Sequence, residues 1–341
     1  MTISQTGQSH TMNTPKPAAT ASTTPDHTGL DPAGRPFVWI DGKLLPKAQA
    51  TISVFDHGLL YGDGCFEGIR VYNRQIFKCD SHLERIYRNA EHLHMMKQGG
   101  DLQGRNAPGF PYTKDEMRRI MQDCVAANDI AEGYIRLIFT RGYGDLGLHP
   151  FKCPKPTVIC IADTIRLYPE EMYRQGMKII VAKRPRTPTE CLDPKLKSLN
   201  YLNNILAKVE AIEAGVLEAI MLRYSETGEK LVGECTGDNL FIIKDGELHT
   251  SPVEVGMLDG ITRAFVIETL AKDLGITVHQ RPLTLDEVIN ADEVFLTGSA
   301  AEIIAVSQIE DTNISDGEGP ITAKLRARFR EIVTADTIPT D

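Results

Sequence analysis

Two short motifs set the terms on which this chain can fold. The first is Lys195-Leu196-Lys197-Ser198-Leu199-Asn200-Tyr201; the second begins 33 residues after Tyr201 and reads Glu234-Cys235-Thr236-Gly237-Asp238-Asn239-Leu240-Phe241. One supplies an amine and the other a carboxylate. Between them, residues 200–214 place Leu202, Ile205, Val209 and Ile212 on one helical stripe and stop at Gly215, a C-terminal signal. Strands are predicted near 217–223 and 230–235. A lysine serves as a nucleophile only where its surroundings lower the cost of the neutral amine. By chemistry alone, Lys183 and Lys195 rival Lys197.

Upstream, residues 37–40, the dipeptide Asp41-Gly42 and residues 43–45 read as a hairpin with a type I′ turn. A second hairpin runs over 68–72, turns at Asn73-Arg74 and returns over 75–77. Asp80 or Ser81 is placed to cap a helix in which Leu83, Ile86, Tyr87, Ala90 and Leu93 keep a helical period. Residues 98–112, rich in glycine and proline, read as a surface loop. Thr113 caps a second helix to about Asn128, and strands follow over 134–140 and 157–161. These make an α+β domain over 36–165. Residues 166–176 show no strong period and are assigned as a linker. A larger domain over 177–335 has strands near 177–183, 217–223, 230–235, 239–243, 276–280 and 293–297, with helices at 200–214, 261–274 and 320–334. Residues 336–341 are expected to be a flexible C-terminus. Residues 1–35, dominated by Thr, Ser, Pro and Ala, are expected to be a disordered tail. Ligands favour the cleft between two such domains.

A chain of 341 residues is long enough for two cores, and 42% hydrophobic with 24% charged residues is the balance of a soluble protein. A net charge of -9 without a long basic run argues against nucleic acid or an anionic membrane as partner. No stretch of 18 apolar residues is available to span a bilayer. Seven cysteines are scattered singly, with no Cys-x-x-Cys, and suggest reduced thiols in a cytoplasmic protein. The histidines do not cluster with them at ligand spacing, so no metal site is expected.

Lys-Ser-Leu-Asn before a Leu/Asn/Ala-rich helix, Gly-Glu-Cys-Thr-Gly-Asp-Asn-Leu-Phe, and Leu258-Asp259-Gly260-Ile261-Thr262-Arg263 together resemble the class-IV aminotransferases from about Phe37 to Val333. This family includes branched-chain aminotransferases, D-amino acid aminotransferases and aminodeoxychorismate lyases. The resemblance implies fold type IV, the D-amino acid aminotransferase-like fold: an α+β two-domain protein, with a small α/β domain and a larger β-barrel-like domain with helices. It implies pyridoxal 5'-phosphate as cofactor and selects Lys197 as the catalytic lysine that holds it. Glu234 then matches the carboxylate for the pyridine nitrogen, which keeps the ring able to accept electrons. Leu258, Gly260, Ile261 and Thr262 match the phosphate cup, where a helix N-terminus offers free N–H groups. Arg85, in His82-Leu83-Glu84-Arg85, matches the arginine that clamps the phosphate from the other domain. Tyr201 matches a tyrosine on the cofactor's phenolic oxygen. Ser299 matches a hydroxyl position shared by cofactor and substrate, and the N–H of Ala300 is placed to reach a carboxylate.

Tyr61-Gly62-Asp63-Gly64-Cys65-Phe66-Glu67-Gly68-Ile69-Arg70 resembles the branched-chain signature. It implies Tyr61 and Phe66 as apolar walls, Gly68 as the space beside them and Arg70 as the charge for glutamate's second carboxylate. Tyr134 and Arg136 alternate onto one strand face and fit the same branch. Arg141 occurs in a Thr-Arg-Gly triplet that D-amino acid enzymes use for the substrate α-carboxylate, yet residues 141–147 also match a branched-chain pattern. The expected reaction is transfer from L-leucine, L-isoleucine or L-valine to 2-oxoglutarate, with small amino acids and 2-oxo acids as partners. A D-amino acid aminotransferase, an aminodeoxychorismate lyase and a non-catalytic scaffold are the alternatives. The resemblance further implies at least a homodimer, with the partner's loop bordering each site.

Overall fold

The computed structural model describes residues 35–97, 110–165, 168–224 and 227–341. Nearly all of the expected tail and most of the loop expected at 98–112 lie outside the described residues. The first sheet contains β1 (Phe37–Ile40), β2 (Lys43–Pro46), β3 (Gly64–Tyr72), β4 (Gln75–Ile76), β5 (Gly133–Thr140) and β6 (Thr157–Asp163), in the order β2-β1-β6-β5-β3-β4. Asp41 and Gly42 both take positive φ, as a type I′ turn requires, and so do Asn73 and Arg74 at the second hairpin. Helices α1 (His57–Tyr61), α2 (Cys79–His92) and α3 (Lys114–Ala127) accompany this sheet. Thr113 and Glu116 form the capping box that starts α3.

The pleat of β3 and β5 sorts their side chains. Cys65, Ile69 and Val71, with Ile135, Leu137 and Phe139, join the core under α2 and α3. Phe66, Gly68 and Arg70, with Tyr134 and Arg136, therefore share the opposite face, which looks toward the second domain.

That domain is built on a nine-stranded mixed sheet. Its strands are β7 (Met177–Val181), β8 (Glu218–Tyr224), β9 (Lys230–Cys235), β10 (Asn239–Lys244), β11 (Glu247–Thr250), β12 (Val278–Gln280), β13 (Glu293–Gly298), β14 (Glu302–Ile309) and β15 (Thr312–Asn313). The order is β12-β11-β10-β13-β14-β7-β8-β9, with β15 on β14. The helices are α4 (Glu170–Gln175), α5 (Leu202–Glu213), α6 (Ile261–Phe265), α7 (Ala271–Asp273), α8 (Leu285–Ile289) and α9 (Pro320–Val333). A π turn over Val266–Leu270 joins α6 to α7. Tyr72 and Phe77 of the first domain pack edge-on against Phe265 and Phe329 of the second, so one aromatic cluster ties the two together.

Four expectations are corrected. The segment 166–176 is more than a linker: α4 lies within it and buries Tyr173 completely. Helix α2 starts one residue before Asp80, behind Lys78 in the left-handed region, with no side-chain cap. Residues 336–341 are seated rather than free. The Pro339 and Thr340 carbonyls accept from the N–H groups of Lys78 and Asp80, at 2.8 and 2.6 Å, and so supply the missing cap. Ile338 is buried beside them. Finally, the apolar stripe of α5, which a surface helix ordinarily turns to its core, faces outward. Leu202 is 66% exposed and Ile212 61%, while Asn204, Ala207 and Ala211 face the sheet.

Candidate active site

Glu67 stands on the core face of β3, where burial alone would keep a carboxyl neutral. Its oxygens instead accept from Nε and Nη2 of Arg85 in a bidentate pair, both at 2.7 Å. The Nδ1 of His82, one turn before Arg85 on α2, lies 2.7 Å from the same carboxylate and donates to it. Burial would raise the Glu67 pKa, but Arg85 and His82 together hold it well below the usual carboxylate range. Burial pulls His82 down, and Glu67 opposes that only in part. The remaining guanidinium edge of Arg85 crosses to the second domain, where Nη1 donates to the Asp259 carbonyl at 2.7 Å. An arginine of α2 is thereby fixed at the mouth of the Leu258–Thr262 turn.

Gly260 caps α6, and a Cβ at that position would stand 1.9 Å from Asn239 Oδ1, so only glycine lets the turn close on β10. The amide of Asn239 donates to the Leu258 carbonyl at 3.0 Å and to Glu234 Oε2 at 3.2 Å. Glu234 Oε1 accepts from the Leu258 N–H at 3.1 Å and pairs with Arg186 Nη2 at 2.5 Å. Arg186 donates in turn to Asn204 of α5 at 2.7 Å. Burial raises the Glu234 pKa, with Arg186 opposing it. Arg263, next in the turn, points away and serves the Ser251 carbonyl and Gln280.

Lys197 belongs to the segment that crosses the domain boundary. Ser198 bridges Cys65, Phe66 N–H donates to the Lys197 carbonyl at 3.0 Å, and Leu199 N–H donates to Gly64 at 2.9 Å. The residues before α5 therefore extend the first sheet locally. Lys197 Nζ lies 3.2 Å from the Tyr201 hydroxyl and 4.8 Å from the centre of the Phe66 ring. Lys183 and Lys195 line neither of the two cavities that meet at Lys197.

One cavity, of about 340 Å³, is lined by Arg85, Lys197, Glu234, Leu258, Gly260, Ile261, Thr262 and Ser299, among others. Its wall thus combines a cation, the N-terminal N–H groups of α6, a buried carboxylate and an amine. The buried hydroxyl of Thr297, also on its wall, has no partner among the described residues. A flat ring carrying an anionic group, an aldehyde and a basic nitrogen fits this set of donors. Pyridoxal phosphate is such a molecule.

A second cavity, of about 860 Å³, shares Lys197 and adds Phe66, Tyr134, Arg136, Tyr201 and Ala300. The guanidinium of Arg136 lies 4.7 Å from the Phe66 ring centre. A Cβ on Gly68 would stand 1.7 Å from the Tyr134 hydroxyl, so glycine is what lets Tyr134 lie along the cavity. Three expected substrate residues stand elsewhere. Arg70 is buried and faces Glu302, 3.6 Å away. Arg141 makes a bidentate pair with Asp63, both bonds at 2.9 Å, and donates to the Leu93 carbonyl. Tyr61 lies at the surface, its hydroxyl donating to the Leu146 carbonyl. Each cation is held by its own acid, which spacing along the chain does not reveal. Cys65 is fully buried, and burial pushes its thiol well above the ordinary range.

Sequence reasoning missed Arg186 and the roles of Glu67, His82 and Asn239. Glu67 and Asn239 stood inside quoted motifs; Arg186, in an irregular stretch, carried no signal. It also missed a carboxylate on the cavity wall. The Asp238 carboxyl is pushed up to about 7, by burial first and Glu218 second, with Lys208 and Lys197 opposing. This folded value lies above the unfolded one of about 3.9. Its stabilisation is thus full below about pH 4 and is lost as pH rises to about 7. Asp238→Asn is expected to melt above the wild type at pH 8, with the gap narrowing toward pH 4. Thermal melts at several pH values check this, and a gap independent of pH would sink it.

The geometry has counterparts in known proteins. A sequence model of the family described as "Amino-transferase class IV" matches residues 64–309. A putative branched-chain-amino-acid aminotransferase of Methanocaldococcus jannaschii is 44% identical over 298 residues, 87% of this chain and 96% of the relative. A D-alanine aminotransferase of Listeria monocytogenes is 35% identical over 302 residues, again 87% of this chain and 96% of the relative. The T.th. branched-chain amino acid aminotransferase, solved with pyridoxamine 5'-phosphate, superposes with a TM-score of 0.79 at 35% identity, covering 87% of this chain and 94% of that one. The same enzyme has been solved with N-(5'-phosphopyridoxyl)-L-glutamate and with 4-methylvaleric acid. The turn at Gly260, the crossing at Lys197 and the carboxylate at Glu234 thus stand in a chain that belongs to the class IV aminotransferases, pyridoxal-phosphate-dependent enzymes of fold type IV.

Proposed function

We propose that this enzyme transfers the amino group of L-leucine, L-isoleucine or L-valine to 2-oxoglutarate. The observation that carries the reading is the division of labour among the arginines. Arg136 alone of the three substrate-side arginines lines the open cavity, while Arg141, the residue a D-amino acid enzyme would use, is held by Asp63. Phe66, Tyr134 and Ala300 give that cavity apolar walls for a branched side chain, and Arg136 supplies the charge for glutamate's second carboxylate.

Bound in the first cavity, pyridoxal phosphate supplies an aldehyde carbon that captures the substrate amine and a ring that accepts electrons from Cα. Arg85, Thr262 and the first N–H groups of α6 take the phosphate. Glu234, fixed by Leu258, Asn239 and Arg186, serves the ring nitrogen. Tyr201 serves the phenolic oxygen. The N–H groups beside Ser299 and Ala300 take the substrate carboxylate. Lys197 Nζ would hold the cofactor at rest and, once freed by the incoming amine, would take the proton from Cα and deliver it to the cofactor's C4′ carbon.

The outward stripe of α5 and the exposed Val54, Phe55, Leu59 and Leu146 support a homodimer, because such apolar patches mark association surfaces. Seven free thiols accord with a cytoplasmic setting.

The test is a half-reaction. The loaded protein is mixed with L-leucine, without oxo acid, and the visible absorbance of the cofactor is followed. Loss of the resting band to the aminated form is the expected result. Silence with L-leucine and a response to D-alanine would move the enzyme to the D-amino acid branch.

A further inference from the structure

Among the described non-glycine residues with positive φ, Glu302 alone is buried: its φ is +59 and it has no exposed surface. It follows the three-residue loop Ser299–Ala301 that joins β13 to β14, with Gly298 and Glu302 paired across the hairpin. Glycine is the residue that usually takes such a left-handed position. A glutamate there is strained, and strain of this kind persists only where the surroundings fix it.

The surroundings do so through the side chain. Tyr72 of β3 donates its hydroxyl to Glu302 Oε1 at 2.7 Å. Arg70, also of β3, stands 3.6 Å from the same oxygen, and Arg330 of α9 stands 2.8 Å from the other. The neighbouring Ala301 carbonyl accepts from the Tyr173 hydroxyl of α4 at 3.2 Å. Three elements therefore converge on the base of a loop whose tip forms part of both cavities, Ser299 in one and Ala300 in the other. Neither the Ser299 nor the Ala300 N–H donates to a protein acceptor among the described residues.

We propose that Glu302 is a positioning residue. Its carboxylate, gripped by Tyr72, Arg70 and Arg330, pins the Ser299–Ala301 tip so that its N–H groups are preset for the substrate carboxylate. This gives Arg70 a purpose that does not require it to touch substrate. It also makes the first domain a sensor of the tip, since β3 holds one end of the pin. The inference rests on the substrate reading above for the ligand, though not for the pin itself.

The discriminating variant is Glu302→Gly. Glycine removes the strain and keeps the backbone conformation accessible, yet abolishes the grip. In the cofactor-loaded protein, the affinity for 4-methylvaleric acid, read from the shift of the cofactor band, is expected to fall about tenfold through lost preorganisation. The affinity of the apoprotein for pyridoxal phosphate should fall by less than the acid affinity, because Ser299 is the one residue of the released tip that lines the cofactor cavity, while Arg85, Gly260 and Thr262 are held independently. Amide exchange over residues 298–303 should quicken. Tyr72→Phe, which removes a single hydrogen bond, should shift both readouts in the same direction by less and keeps the test usable if Glu302→Gly does not fold. Unchanged acid affinity in Glu302→Gly would show that backbone geometry alone sets the tip, and the pin falls. If the wild type ignores 4-methylvaleric acid, the branched-chain reading fails separately. Exchange over 298–303 then decides: quickened exchange supports the pin and unchanged exchange overturns it.

Discussion

Lys197→Ala is expected to lower turnover by roughly 10⁴-fold, the upper range for removing a positioned acid–base group, and more if attachment also fails. Borohydride reduction followed by intact-mass measurement should find the cofactor covalently held in the wild type and not in the variant. The fold should survive. What the alanine removes is a half-buried amine resting over the Phe66 and Tyr201 rings, 4.8 and 5.3 Å away, a contact worth about 0.5–1 kcal/mol. The melting temperature should therefore move little while activity disappears. Lys197→Arg keeps the charge over the rings but cannot hold the aldehyde, and should be equally inactive. Lys195→Ala, two residues away and outside both cavities, should be active. Turnover within tenfold of the wild type in Lys197→Ala would mean that another group moves the proton.

The contrast between Lys195 and Lys197 shows where the sequence was legible. Local signals came through: the Asp41-Gly42 turn, the Thr113 cap and the period of α2 each depend on residues a few positions apart. The motif residues Arg85, Glu234, Gly260 and Thr262 line one cavity, and each was marked in the sequence by a short fixed neighbourhood. What escaped was decided across the fold. Helix α5 has the right period, but its small residues Ala207 and Ala211 let it sit closely on β8, so the large ones face out. Arg70 and Arg141 looked available because their acids, Glu302 and Asp63, are 232 and 78 residues away. The C-terminal residues looked mobile because the amides they cap belong to the other domain. Strand β14 was overlooked although its Ile303–Val306 run is apolar throughout, since a short fully buried run has no alternation to mark it.

Glu67 offers the second large effect, and it is one that motif matching does not assign. Glu67→Gln keeps the shape but replaces an acceptor-only carboxylate with a group having one acceptor and one donor. Arg85 presents two N–H groups to it and His82 a third, so at least one buried donor loses its partner and the guanidinium is left uncompensated. Breaking a buried pair in this way costs about 3–5 kcal/mol. Because Arg85 also binds the Asp259 carbonyl, its displacement should loosen the phosphate cup as well. Weaker binding of pyridoxal phosphate to the apoprotein is expected alongside the lower stability. The pH dependence separates this from a packing defect. The folded pKa of Glu67 lies below the unfolded value of about 4.3, so its stabilisation is present above that pH and is lost as pH falls further. Denaturation midpoints of the wild type should fall more steeply than those of Glu67→Gln below about pH 4.3. Parallel curves for the two proteins would show that the carboxylate charge does not hold Arg85 in place.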